Sequence, residues 1–376
     1  MIKYDLAIVG GGLGGLALSI QIARAGHKVI LFEKEKYPFH RVCGEYISLE
    51  SWDFLQRLGL DLNALNVSHI KRLCVSAING KSFEQELPLG GFGISRYKLD
   101  HTLAQLALQS GVIIKEQVRV NDIQFSNEEF SINSSGGDFK VNLVVGCYGK
   151  RSNLDIKWKR PFSVAKKNKL NNYIGVKYHV RYNFPADLIA LHNFRKGYCG
   201  ISKVEEDQYC LCYLTTADNL QNSSNDIKKM EQTLLSVNPH LKKIFSECEK
   251  IREEPVIISQ ISFDKKTLVE DHVLMIGDAA GMITPLCGNG MSMALHASKI
   301  AAEQIRQFLS GAISREQMEQ NYSANWEKLF ASRLKMGRRL QRLFDNQQLT
   351  SFMIGLGRSF PFIIKALIRK THGKPF

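Results

Sequence analysis

The sequence has 376 residues and a formal net charge of +14, which is chain enough for two domains and too much for one small core. Its 44% apolar and 23% charged content is that of an ordinary globular protein, and no run of about 18 apolar residues is present to span a bilayer. The basic residues are spread out, with a local excess near the C-terminal end, and no helix-turn-helix, zinc-finger or RNA-recognition pattern accompanies them, so no nucleic-acid partner is expected.

The chain opens with MIKYDLAIVG. The apolar run breaks at glycine and has no basic leader, so it reads as a strand and not a signal peptide. A cytoplasmic location is expected. Gly10, Gly11, Gly12, Leu13, Gly14 and Gly15 follow, then LALSIQIARAG with helical apolar spacing, then HKVILFEK, a second strand ending at Glu33 and Lys34. Strand, glycine turn, helix, strand and acid together predict a dinucleotide site. Gly10 permits the turn, Gly12 lets a pyrophosphate approach the backbone, and Gly15 lets the helix pack on the strand. The helix start, with Leu13 and Gly14, offers amides to phosphate. Glu33 lies 18 residues after Gly15 and suits ribose hydroxyls.

Further along, a helical stretch begins at Ser48-Leu49-Glu50, and SNEEFSINSSGGDF reads as a polar hairpin. Residues 172–182, 189–194, 198–204 and 208–214 alternate as short strands, predicting an antiparallel sheet. Residues 225–236 and 239–249 read as helices, and EPVIISQISF as a returning strand. HVLMIG predicts a buried strand ending at Gly277 and Asp278, where α/β sheets place ligands. A loop with Pro285, Gly288, Asn289, Gly290 and Met291 then feeds a helix, aiming amides at negative charge. From about residue 304 the chain turns helical and basic. This end is a candidate cap on the body, or a candidate peripheral contact with the inner face of a membrane.

The chain has eight cysteines and no CxxC pair, so free thiols in a reducing compartment are expected. Cys210 and Cys212 share a strand face, but no further ligands are evident and no metal is expected.

The glycine motif with Glu33, the later GDAAG and the PxxGxGM loop resemble the para-hydroxybenzoate hydroxylase superfamily of FAD-dependent oxidoreductases. Arg41-Val42-Cys43-Gly44-Glu45 resembles the R-x-x-C-G-type segment of its geranylgeranyl reductase-like branch. The resemblance implies an α/β fold: a discontinuous Rossmann-type FAD-binding domain, an inserted antiparallel β-sheet substrate domain and a C-terminal helical region. The expected boundaries are 1–72, 96–160 and 269–305 for the FAD domain, 73–95 and 161–268 for the substrate domain, and 306–376 for the helices. It further implies that Arg41 reaches the ribose or pyrophosphate, that Cys43 and Gly44 lie near the ring, and that Arg96, in GISRYKLDHTLAQLA, lies near the cofactor. Val118 would hold the adenine edge through its backbone and Asp278 a ribityl hydroxyl, while Gly288, Asn289, Gly290 and Met291 would line the pyrimidine side.

For catalysis the candidates are Cys43, Glu45 as a proton donor if burial raises its pKa, and Tyr198 in GYCGIS as a substrate-lining residue. The branch's Y-x-W-x-F-type segment here has Gly200 and Ser202 in place of its tryptophan and second aromatic. In place of the family's G-A-D-G-x-x-S motif stands Gly146-Cys147-Tyr148-Gly149-Lys150-Arg151-Ser152, which leaves NADPH or NADH uncertain as donor and an electron-donor protein open. Lys150 and Arg151 are candidates to hold an anionic donor or substrate. The resemblance implies either C=C reduction of a hydrophobic, lipid-like substrate by hydride from flavin N5, or aromatic hydroxylation through a C4a-hydroperoxyflavin. The W-x-W-x-I-P segment of flavin-dependent halogenases is absent.

Overall fold

In the computed structural model, residues 3–164, 171–344 and 347–376 are described. Two sheets organise the chain. The first is built on parallel strands: Tyr4–Val9 pairs with Val29–Phe32 on one side and with Gly137–Gly146 on the other. Ile113–Lys115 extends it beyond Val29–Phe32, and Val273–Met275 joins beyond Gly137–Gly146. The central strands carry buried apolar side chains on both faces, as a sheet covered by helices requires. Leu13–Arg24 and Gly290–Leu309 pack on one another over this sheet. The polar hairpin is present as Val120–Ser126 and Glu129–Ser134, joined to Gly137–Gly146.

The second sheet is the expected antiparallel one. Asn171–Arg181, Tyr209–Thr216, Gly197–Lys203 and Leu188–Phe194 run side by side, with Val256–Ser262 on the outer flank of Asn171–Arg181. Ser68–Ser76 pairs in parallel with Leu188–Phe194 and antiparallel with Ser82–Gly93. Tyr46–Ser48 closes the edge. The expected boundary at residue 73 is therefore too late, since this sheet takes residues from Tyr46 onward. Ile47 and Ile70 are both fully buried, so the early segments anchor this sheet as well as the first.

The C-terminal region folds as three helices, Arg315–Phe344, Gln347–Ser359 and Pro361–Thr371. The last two lie on the strand Ser82–Gly93, Arg315–Phe344 packs on Gly290–Leu309, and all three contact one another. Among the described residues, no helix is long and apolar enough to cross a membrane.

Candidate functional site

The glycine turn has the geometry its sequence demands. Gly10 has φ 108, and a Cβ there would lie 2.4 Å from the Cys147 carbonyl oxygen, so only glycine fits. Gly14 lets the first helix approach the third segment, with Ile276 Cγ2 only 2.8 Å from where a Cβ would sit. At Gly12 the situation is opposite. A Cβ would meet nothing but Arg96 Nη2, at 3.7 Å, so the space in front of the helix is open. Neither this helix nor the one starting at Gly290 has a side-chain cap. Their first amides therefore remain for an anion.

Charged groups converge on that space. Glu33 accepts from the Gly11 amide at 2.9 Å, from the Glu35 amide at 3.1 Å and from Arg41 Nη2 at 2.9 Å. Arg41 Nε and Arg96 Nε are held by one buried carboxylate, Asp100, at 3.0 and 2.7 Å. Asp278 faces Lys266, Arg96, Lys150 and Arg41. Burial pushes its carboxyl above the usual range while these cations pull it down. Three segments far apart in sequence thus meet at one polar cleft with two uncapped helix starts, a donor set that fits the pyrophosphate and sugars of a dinucleotide. Lys34 is exposed at its rim, beside Glu35.

The loop at 285–291 forms the other end. Cys43 donates its thiol to Met291 Sδ at 3.6 Å, which brings the 41–45 segment onto the loop. Burial raises the Cys43 pKa, so the group stays a thiol. Gly288 has φ 62 and faces the Tyr46 ring.

Several expected roles change. Glu45 is fully buried, and burial alone would raise its pKa. The opposing pull of Lys177, with hydrogen bonds from His179 and Lys177, wins and holds it at about 2. Glu45 is therefore a carboxylate and not a proton donor. The amide of Val118 donates to the Glu33 carbonyl at 3.0 Å, which leaves its carbonyl oxygen as the group for an adenine edge. The Asn289 side chain is fully buried and donates to Thr371 O at 2.8 Å. Tyr198 is buried among Tyr173, Leu214, Ile261 and Phe263, with Leu286 of the loop against it, and does not line the apolar cavity described below. Lys150 donates to Ser259 O and Arg151 to Gln260 at 3.1 Å, which ties this loop to the second sheet and leaves each side chain further donors. Tyr148, which replaces the family acid, donates to Asp155 at 2.8 Å, and Asp155 in turn pairs with the fully buried Arg160.

Lys177 and His179 are residues the sequence reading missed. They lie two apart on Asn171–Arg181 and so share one face, opposite Val176, Tyr178 and Val180. Lys177 donates to Glu45 and, at 3.1 Å, to the Arg41 carbonyl. His179 Nε2 meets Glu45 Oε2 at 2.6 Å. Cys210 donates to the Cys43 carbonyl at 3.2 Å, and Ser202 to the Gly44 carbonyl at 3.3 Å. Side chains of the second sheet thus hold three carbonyls of the 41–45 segment. The left-handed backbone of Glu45, φ 55, is fixed by them and costs about 1–2 kcal/mol. Donor atoms of Glu45, His179 and Cys210 lie within 4.8 Å of one another, but the Lys177 ammonium already supplies the positive charge there.

An apolar cavity lies between the second sheet and the C-terminal helices. Leu73, Val75, Phe83 and Leu191 form the sheet wall, Ile354, Ile364, Leu367 and Ile368 the helix wall, and Pro285 to Gly288 the end. Cys287 is buried in that end wall, and burial lifts its pKa to about 11.

The model of the FAD binding domain family matches residues 3–328. The chain belongs to this family. It is an FAD-dependent flavoprotein of the para-hydroxybenzoate hydroxylase superfamily, as its motifs suggested. The flavoprotein is 25% identical over 365 residues to conditioned medium factor receptor 1 of Dictyostelium discoideum, covering 89% of this chain and 69% of that one. It is 25% identical over 372 residues to a digeranylgeranylglycerophospholipid reductase of Methanococcus vannielii, covering 92% and 88%. Among solved structures, a flavin-dependent brominase superposes with a TM-score of 0.80 at 19% identity, covering 98% of this chain and 93% of that one. At that identity the likeness is one of fold.

Proposed function

We propose that this flavoprotein reduces C=C bonds of a long, apolar, lipid-like substrate. The observation that carries the reading is the apolar cavity ending on the Pro285–Gly288 loop. Its lining is mostly apolar, with Tyr46, Thr350, Thr371 and His372 as polar members and no Asp, Glu, Lys or Arg, so it favours hydrocarbon over an ionised aromatic acid. Bound FAD supplies the hydride, from N5. The chain's own residues do the rest. Amides at Gly12–Gly14 and at Gly290–Met291 bind and orient the cofactor, with Arg41, Arg96 and Asp278. The 41–45 segment, clamped by Lys177, Cys210 and Ser202, keeps Cys43 against Met291 and fixes the ring-side wall. The digeranylgeranylglycerophospholipid reductase relative supports the same substrate class.

The test is anaerobic. The FAD-loaded protein is reduced chemically and mixed with a polyprenyl lipid. Reoxidation of the flavin with a product heavier by two hydrogens per bond supports the reading. A sequence relative that is a 1H-pyrrole-2-carbonyl-[peptidyl-carrier protein] brominase, 21% identical over 336 residues, favours a second one, an oxygen-dependent oxidation of an aromatic ring. Flavin that reoxidises only with oxygen, and leaves the alkene intact while an aromatic substrate is modified, decides for the second. The electron donor is approached in the same experiment by offering NADPH, NADH or a reduced ferredoxin-type protein in place of the chemical reductant.

A further inference from the structure

The corner between the last two helices points out of the molecule. Phe360 and Phe362 are 46% and 68% exposed, and their rings lie 6.1 Å apart. Two large exposed rings side by side are unusual on a soluble surface. The helix Pro361–Thr371 has two distinct faces. Ile364, Leu367 and Ile368 turn inward and line the apolar cavity. Phe362, Ala366, Arg369 and Lys370 are exposed. The aromatic residue sits at the helix start and the cations at its end.

Charge sharpens this. From residue 347 to residue 376 the sequence contains Arg358, Lys365, Arg369, Lys370 and Lys374 and no Asp or Glu. A patch that joins exposed phenylalanines to cations from an acid-free segment suits a surface with anionic head groups over an apolar layer. At 11 residues the helix is too short to span such a layer and fits lying in its plane. The same two helices, with Met353 and Ile354 on the first of them, separate the apolar cavity from solvent.

We infer that the corner at Phe360–Phe362, with Arg358, Arg369 and Lys370, is a docking surface for an anionic lipid bilayer. The inference builds on the lipid-substrate reading and names the phase from which such a substrate reaches the cavity. Docked there, the phenylalanines enter the acyl boundary and the arginines and lysines stay at the head groups. A chain leaving the bilayer then meets the helices that wall the cavity.

The test uses the full-length, FAD-loaded protein and sedimentation with vesicles, either of phosphatidylcholine alone or with phosphatidylglycerol added. Binding is expected to the mixed vesicles, weaker by about tenfold or more with phosphatidylcholine alone or at high salt. The double variants F360S/F362S and R369E/K370E should each lose binding by a similar factor while keeping the flavin content and thermal unfolding of the parent. If the paired change at the phenylalanines releases flavin, the single variant F362S, at the more exposed position, replaces it. Absence of binding to the anionic vesicles, or variants that bind as the parent does, overturns the inference. Alkene reduction in detergent micelles is measured separately. Its failure alongside intact vesicle binding sinks the reductase reading and leaves the docking surface standing. Loss of vesicle binding with intact reduction does the reverse.

Discussion

Glu45 Oε2 and His179 Nε2 lie 2.6 Å apart in a site neither shares with solvent. One residue comes from the segment after the glycine motif and the other from the second sheet. With Lys177 on the other carboxylate oxygen, the pair joins the two halves of the molecule where the 41–45 segment crosses between them.

Removing one partner leaves the other charge buried and uncompensated. Glu45→Gln and Lys177→Met should each lower stability by about 3–5 kcal/mol. The double variant should cost clearly less than the sum, because no lone charge is left. Thermal unfolding of the four proteins measures the coupling, and strict additivity would show that the pair does not act as a unit.

The pH dependence follows from the same group. The Glu45 pKa is depressed in the folded state, from 4.5 to about 2, as Lys177 and His179 outweigh the burial that raises it. Its contribution is present above the unfolded pKa and is lost as pH falls through the window from about 4.5 to about 2. Acid unfolding of the parent should steepen there, and in Glu45→Gln that component should be missing.

Gly12→Ala separates folding from cofactor binding. The backbone there, φ −84, suits alanine, and the new Cβ meets only Arg96 Nη2 at 3.7 Å. Apoprotein stability should stay within about 0.5 kcal/mol of the parent. Affinity for FAD should fall by about tenfold or more, since the methyl enters the phosphate approach. Titration of apoprotein with FAD reads the loss. Gly14→Ala should do the opposite, destabilising the fold through the Ile276 contact.

Leu367→Trp fills the cavity from the helix side. KM for a long polyprenyl substrate should rise by about tenfold, with FAD content and chemical reduction unchanged. Equal kinetics for parent and variant would place the substrate elsewhere.

The first sheet was legible because its signals are local. Gly10 to Gly15 and Glu33 lie within one strand–helix–strand unit, and Gly277–Asp278 ends a short apolar strand. The alternation over residues 172–182 likewise predicted the strand found at Asn171–Arg181, on which Lys177 and His179 share a face. What it did not contain was Glu45, 132 residues away from Lys177, so the pull that keeps Glu45 ionised was invisible. The side-chain partner of Asn289 was invisible for the same reason, since its acceptor is Thr371, 82 residues on. That Lys150 and Arg151 reach Ser259 and Gln260 was equally out of sight, since nothing local marks those partners. Periodicity reports which face is inward. It does not report what waits there.

The pairing of Gly146 with Met275 sets an order on synthesis. The strand Val273–Met275, which leads into Gly277 and Asp278, joins a sheet whose parallel members were made long before it. A growing chain that has left the ribosome only as far as the glycine turn has half a cradle, and the second helix start, at Gly290, emerges still later. A complete cradle therefore needs the chain through Gly290, and until Val273–Met275 is made Gly146 lacks the parallel neighbour it has in the finished sheet.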